Sequence, residues 1–141
     1  MNKNKKIGSN IICMLFLISY IFIILWLTLI HRNSIYPQTI TPLFHELKLI
    51  ILKQDSWSMI DSIRNIFMLM PFGFMLSKMF SKPKKLLKVT LASLVFSAFI
   101  EFSQLVTARG TCQMDDIMNN TIGAVIGFFL WEIYKKYHRI V

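Results

Sequence analysis

Apolar residues fill this chain in long runs rather than in alternation with polar ones. From Ile7 to Ile30 no residue is charged. A run of about 20 apolar residues is what the hydrocarbon core of a bilayer requires, so the run predicts a membrane helix over 8–30. Its basic start (Lys3, Lys5, Lys6) imitates a signal peptide. The run is too long for an h-region, however, and His31-Arg32-Asn33 stands where a small-x-small cleavage site would be, so an uncleaved helix is expected. Further apolar runs predict spans at 61–77, 86–106 and 117–134. The second carries Arg64 and Asn65 in its first turns and Pro71 in its middle, where a kink near residues 67 to 71 is expected. Trp57 suits an interface anchor before it, as do Trp131, Tyr134 and Tyr137 at the far end of the fourth span.

The connection over residues 31–60 holds a fifth helical pattern. Thr41-Pro42 reads as an N-cap and first helical position. Leu43, Phe44, Leu47, Ile50 and Ile51 then recur at helical spacing, with Glu46, Lys48 and Lys53 between them. Two readings of this segment stand side by side: an amphipathic helix lying on the outer leaflet, or a helix packed against the bundle's own loops.

Charge orients the spans. The amino-terminal segment, the 78–88 connection and the carboxyl tail together hold eleven of the sixteen basic residues and one acid, Glu132. The opposite side holds five basic residues and six acids. The positive-inside rule then places both termini in the cytoplasm. The fold class expected is an all-α integral membrane protein: a four-helix transmembrane bundle in one domain over 1–141, with an interfacial amphipathic helix between spans one and two.

Composition agrees. The 141 residues are 55% hydrophobic and 16% charged, with mean hydropathy +0.54. A water-soluble domain this small could not bury so much apolar surface. The net charge of +9 flanks the spans and shows no basic-aromatic surface pattern, so nucleic acid is not an expected partner. Cys13 and Cys112 fall near opposite faces in this topology, which disfavours a disulfide, and neither belongs to a Cys/His cluster. No metal or cofactor is expected.

The chemistry gathers at the outer end. Thr90, Ser93, Ser97, Glu101 and Gln104 follow steps of three or four and share one helix stripe. Glu101 lies roughly 8 Å below the outer end of its span, at about 1.5 Å per residue. A charge at a span centre costs about 2.5–3.5 kcal/mol on insertion scales, so Glu101 should have a partner. Candidates at its depth are Arg64, Asn65, Arg109, Asp115, Asp116, Asn119 and Asn120. Asn120, Gly123 and Gly127 share a face, and Gly123-x-x-x-Gly127 is a small-residue helix contact that would also serve a homo-oligomer. The site predicted is Arg64, Asn65, Glu101, Gln104, Arg109, Asp115, Asp116 and Asn120. These groups could simply pin helix ends together, or could bind a polar ligand that carries a lipid tail.

Three blocks carry a family resemblance: Asn65 through Pro71-Phe72-Gly73, Ser97 through Glu101 to Gln104, and Arg109-Gly110 through Asp115-Asp116 to Asn120-Thr121 and Gly123. Their order and spacing across residues 61–130 resemble the VanZ-like family of small bacterial membrane proteins. That family often has an acid where this chain has Gln113, which argues further against a shared metal. The resemblance implies a multi-pass protein of the bacterial cell membrane. The family is named for a protein that gives low-level resistance to the glycopeptide teicoplanin without changing the termini of the peptidoglycan precursor.

Three functions compete. The first is a non-enzymatic envelope protein whose outer cluster holds a lipid-linked cell-wall precursor or a glycopeptide antibiotic, with membrane lipids around it. The second is a membrane enzyme on a lipid-linked head group, with Glu101 as general base. It lacks a nucleophile, because His31, His45 and His138 lie outside the blocks and Cys112 has no histidine beside it. The third is a small transporter subunit, which the uncharged inner halves of the spans disfavour.

Overall fold

The computed structural model describes residues 3–31, 37–80 and 83–138, with side chains from residue 8 onward. Arg32, Lys82 and Arg139, all used in the charge count, lie outside the described residues. The chain is mostly helical. Helix α1 (Lys3–Leu25) runs into a π-helical turn, Trp26–Ile30; α2 (His45–Lys53), α3 (Ser56–Met79), α4 (Lys85–Val106) and α5 (Met114–Tyr137) follow. Two short strands, β1 (Ile40–Thr41) and β2 (Cys112–Gln113), pair in parallel, Ile40 with Cys112 and Thr41 with Gln113.

Three of these helices are long and apolar enough to cross a membrane: Gly8–Ile30, Ser56–Met79 and Lys85–Val106. Helix α5, although its 24 residues match α3, is not among them. Its first turns hold Asp115, Asp116, Asn119 and Asn120, and its last hold Glu132, Lys135 and Lys136, which lowers its hydropathy.

Burial runs opposite to that of a soluble protein. Ser77, Ser93, Ser97 and Asn120 are fully buried, whereas Phe16, Val95 and Phe102 are each more than 60% exposed. Lipid-facing surfaces want hydrocarbon, and polar side chains in spans must face protein. Two buried polar atoms, Ser77 Oγ and Asn120 Oδ1, have no hydrogen-bond partner among the described residues.

The longest seam is between α3 and α5. Glycines make it close. A Cβ on Gly123 would lie 1.9 Å from the Ile66 carbonyl oxygen, one on Gly127 2.0 Å from that of Met70, and one on Gly73 2.0 Å from that of Ala124. The small-residue motif expected at Gly123 and Gly127 is therefore engaged within the chain, against α3, and is not available to a second copy. Helix α1 packs on α3 along Cys13, Leu17 and Ile24, spaced by three to four residues through Tyr20. Helix α3 continues through Pro71. Proline leaves the Phe67 carbonyl without its helical donor, and on the adjoining residue the Tyr20 hydroxyl donates to the Met68 carbonyl at 2.7 Å. Both cysteines are free and buried.

Two helix starts differ from expectation. Helix α3 begins at Ser56, not near residue 61, because the Asp55 carboxylate accepts from the Trp57 and Ser58 amides at 3.3 and 3.4 Å. Helix α2 begins at His45, not at Pro42. Thr41 is held in β1, where its hydroxyl donates to the Cys112 carbonyl at 3.4 Å, so it cannot cap the helix.

Candidate functional site

One end of the bundle collects the polar side chains of α3, α4, α5 and the loops. Glu101, 2% exposed near the end of α4, accepts from the Gln113 amide at 2.9 Å. At Gln113, where the resembled family often has an acid, the backbone makes the contact. Gln104, one turn on, donates to the Thr28 carbonyl at 3.5 Å. Arg109 donates to the Ile30 carbonyl at 3.0 Å. Both carbonyls end the first helix, where acceptors lack intrahelical donors and a cation is favoured by the helix dipole.

Helix α5 presents its first two turns to this end. Asp115, 3% exposed, accepts from the Phe44 amide with one oxygen and from the Glu46 amide at 2.7 Å with the other. It caps α2 from about 70 residues away in sequence. Asp116 accepts from the Asn65 side-chain amide of α3. Asn120, one turn below Asp116, donates to Ser97 Oγ at 2.8 Å. Ser97 in turn lies one turn below Glu101. Seven of the eight predicted site residues thus share one end of the fold.

Arg64 is the exception. It lies on the surface and pairs with Asp61 at 2.9 Å, at side-chain exposures of 66% and 50%. The reason is rotational. Successive helix residues differ by about 100°, so with Asn65 turned toward α5, Arg64 turns away.

Sequence reasoning gives Glu46 only as a polar position of the helical pattern and does not place it at the site. It is 5% exposed and accepts from the Ser62 hydroxyl at 2.9 Å. Nothing in the local pattern signals this, because its burial depends on α5 supplying the cap. Burial raises the Glu46 pKa above the usual glutamate range; the Ser62 hydrogen bond opposes this, the charges of Asp115 and Asp61 add to it, and His45 opposes it weakly. The folded state therefore holds the Glu46 proton more tightly than the unfolded chain. That contribution to stability is full below the unfolded value and fades as pH rises through the raised one. We expect Glu46→Gln, which keeps an acceptor for Ser62, to flatten the pH dependence of the melting temperature between about pH 4.5 and neutrality. Parallel slopes for wild type and variant would refute this assignment.

Burial also pushes the Cys112 thiol up, with the charges of Glu101 and Asp116 adding to the effect. A thiol held neutral is a poor nucleophile. Among the described residues, no three His, Cys, Asp or Glu side chains are grouped to hold a metal ion. Beside the polar end, an apolar groove of about 390 Å³ runs between α4 and α5, lined by Leu43, Leu94, Met114, Met118 and Ile122 among others.

The three motif blocks converge at this end, and the sequence comparison agrees with them: residues 14–135 match the VanZ/LLP1 family. The chain belongs to that family. No curated protein and no solved structure matches it. The match extends to the second half of α1 and all of α2, where sequence blocks alone carried no resemblance. Family membership and three helices fit to span a bilayer make this a membrane protein of the VanZ/LLP1 type.

Proposed function

We propose that this chain is a single four-span domain of the bacterial cell membrane, with both termini cytoplasmic and its polar end at the outer leaflet. Three helices have spanning length and composition. Helix α5, about 36 Å long at 1.5 Å per residue, lies along α3 throughout and is carried across with it. Lys78 at the end of α3, Lys84 and Lys85 at the start of α4, and Lys135 and Lys136 in the last turn of α5 lie at the opposite end from the site. Helix α2 rests on the outer leaflet: it buries Glu46 and exposes Leu47, Ile51 and Leu52, an arrangement that suits lipid and not water.

In this reading the protein acts without catalysis, contributing to resistance to teicoplanin-type lipoglycopeptides or to the handling of cell-wall lipids. Its partner is a lipid-linked cell-wall precursor or the antibiotic itself, met at the membrane surface. The observation that carries this is the convergence of the three family blocks on one end, beside an apolar groove. The carboxylates there hold amides of the fold, and the nearby thiol is kept neutral, which supports binding over chemistry.

The test is expression in a susceptible Gram-positive host, comparing teicoplanin and vancomycin sensitivity for wild type and for Glu101, Arg109 and Asp116 variants. Wild type should lower teicoplanin sensitivity. Glu101→Gln should lose that effect only in part, since glutamine still accepts from the Gln113 amide. No shift with any glycopeptide would remove the resistance role. Turnover of a labelled lipid pyrophosphate by purified protein would instead favour an enzyme.

A further inference from the structure

Helix α2 is joined to the fold in an unusual way. The residues that flank it, Phe44 (φ 65, ψ 16) and Gln54 (φ 50, ψ 39), both sit in the left-handed region. That region is ordinarily left to glycine, and a bulky residue there is a genuine outlier. Beyond each flank the chain is fixed. Upstream, β1 is paired with β2. Downstream, Asp55 caps α3. Between these anchors lie nine helical residues that supply no side-chain cap of their own at the N-terminus. The cap comes from α5: both oxygens of Asp115 hold amides at the start of α2. A hydrogen bond from Ser62 to Glu46 fastens its inner face to α3, where Leu49 and Ile50 are half-buried. Its outer face is apolar and exposed at Leu47, Ile51 and Leu52.

Strain at both flanks persists only where the surroundings enforce it. Here a carboxylate on another helix holds the Phe44 flank, Ser62 of α3 holds Glu46 beside it, and Gln54 closes the far end through its amide to the Leu49 carbonyl. We infer that α2 is a lid over the outer polar end, hinged at Phe44 and Gln54 and latched by Asp115. In the closed state Asp115 and Glu46 are covered, at 3% and 5% exposure. When the latch releases, the two flanks relax toward ordinary backbone angles and α2 moves off α3 and α5. Its apolar outer face rests on the bilayer in either state, so opening exposes little new apolar surface to water. The opening uncovers the first turn of α5, where Asp115 and Asp116 lie. The lid rests on the membrane placement proposed above and does not depend on which molecule the site binds.

Amide hydrogen exchange of the full chain in lipid nanodiscs tests it. In wild type, residues 45–53 should exchange by local opening, ahead of the α3–α5 seam at 66–73 and 120–127. Asp115→Asn keeps the size but gives up the charged double acceptor. It should speed exchange across 45–53 about tenfold and leave the seam unchanged. Gln54→Gly removes the side chain that makes the second hinge costly, at an exposed position. It should slow exchange across 45–53 about threefold. Both results together support the lid. The inference is overturned if Asp115→Asn leaves 45–53 unchanged, if it loosens the seam equally, or if Gln54→Gly fails to slow exchange. A change in antibiotic sensitivity plays no part in this readout, so the lid and the resistance role can fail separately.

Discussion

Gly123→Ala should prevent the bundle from assembling, the largest loss expected from adding a single methyl group to this chain. The added Cβ would lie 1.9 Å from the Ile66 carbonyl oxygen and 2.8 Å from the Ile66 carbonyl carbon. Backbone atoms cannot swing aside as a side chain can, so α5 would have to retreat along its length. That retreat would also break the contacts of Gly127 with Met70 and of Ala124 with Gly73, which lie on the same seam. Overpacking typically costs about 1–3 kcal/mol where neighbours can shift, and here they are fixed by the helix. A loss of more than about 3 kcal/mol would remove much of a total stability of about 5–15 kcal/mol. The check is thermal unfolding and size-exclusion behaviour in detergent or nanodiscs. Gly8→Ala is the control, since a Cβ there meets nothing within 4 Å. If Gly123→Ala melted with wild type, the α3–α5 seam would be wrong.

Why the sequence announced this seam and not the lid follows from what each depends on. A helix interface in lipid needs small residues at i and i+4, and Gly123 and Gly127 are visible at that spacing. Polar residues inside a span are equally visible, because they violate the run around them; Glu101, Gln104 and Asn120 were found that way. Helix α4 has the end points that its apolar run predicts. The four-residue steps along the third apolar run also gave the buried Ser93 and Ser97. By contrast, the start of α2 is set by a carboxylate about 70 residues later, a dependence that no local pattern contains. Thr41-Pro42 satisfies every local rule for a helix start and fails because Thr41 pairs with β2. Arg64 and Asn65 show a subtler limit. Both sit at the right depth, but only the rotation of α3, fixed by the glycine seam, decides which one faces the cluster. Depth alone placed Arg64 among the candidate partners of Glu101, whereas the rotation of α3 sends it to Asp61 at the surface.

At the opposite end of the bundle, Glu132→Ala should be more damaging than Lys85→Met, although the two residues form one ion pair. Lys85 opens α4 directly after Lys84, which takes a left-handed conformation (φ 59). Its ammonium contacts Glu132 of α5 and lies 5.6 Å from the Phe128 ring centroid and 5.9 Å from that of Trp131. The lysine side chain is 9% exposed and the glutamate 33%. Removing one member of a buried pair costs about 3–5 kcal/mol, because the other charge stays behind without its partner. Glutamate left alone can still reach water. Lysine left alone is enclosed by two aromatic faces, which offset only about 0.5–2 kcal/mol of its desolvation. We therefore expect Glu132→Ala to cost about 3 kcal/mol and Lys85→Met about 1 kcal/mol. The double variant Lys85→Met/Glu132→Ala should return most of the loss, since no enclosed charge is then left without its partner. Denaturant-induced unfolding of the four proteins in one lipid system measures the cycle. Equal losses for the two single variants would mean that Lys85 reaches water as readily as Glu132. A double variant as unstable as the Glu132→Ala protein would mean that the pair, and not the enclosed charge, holds α4 against α5.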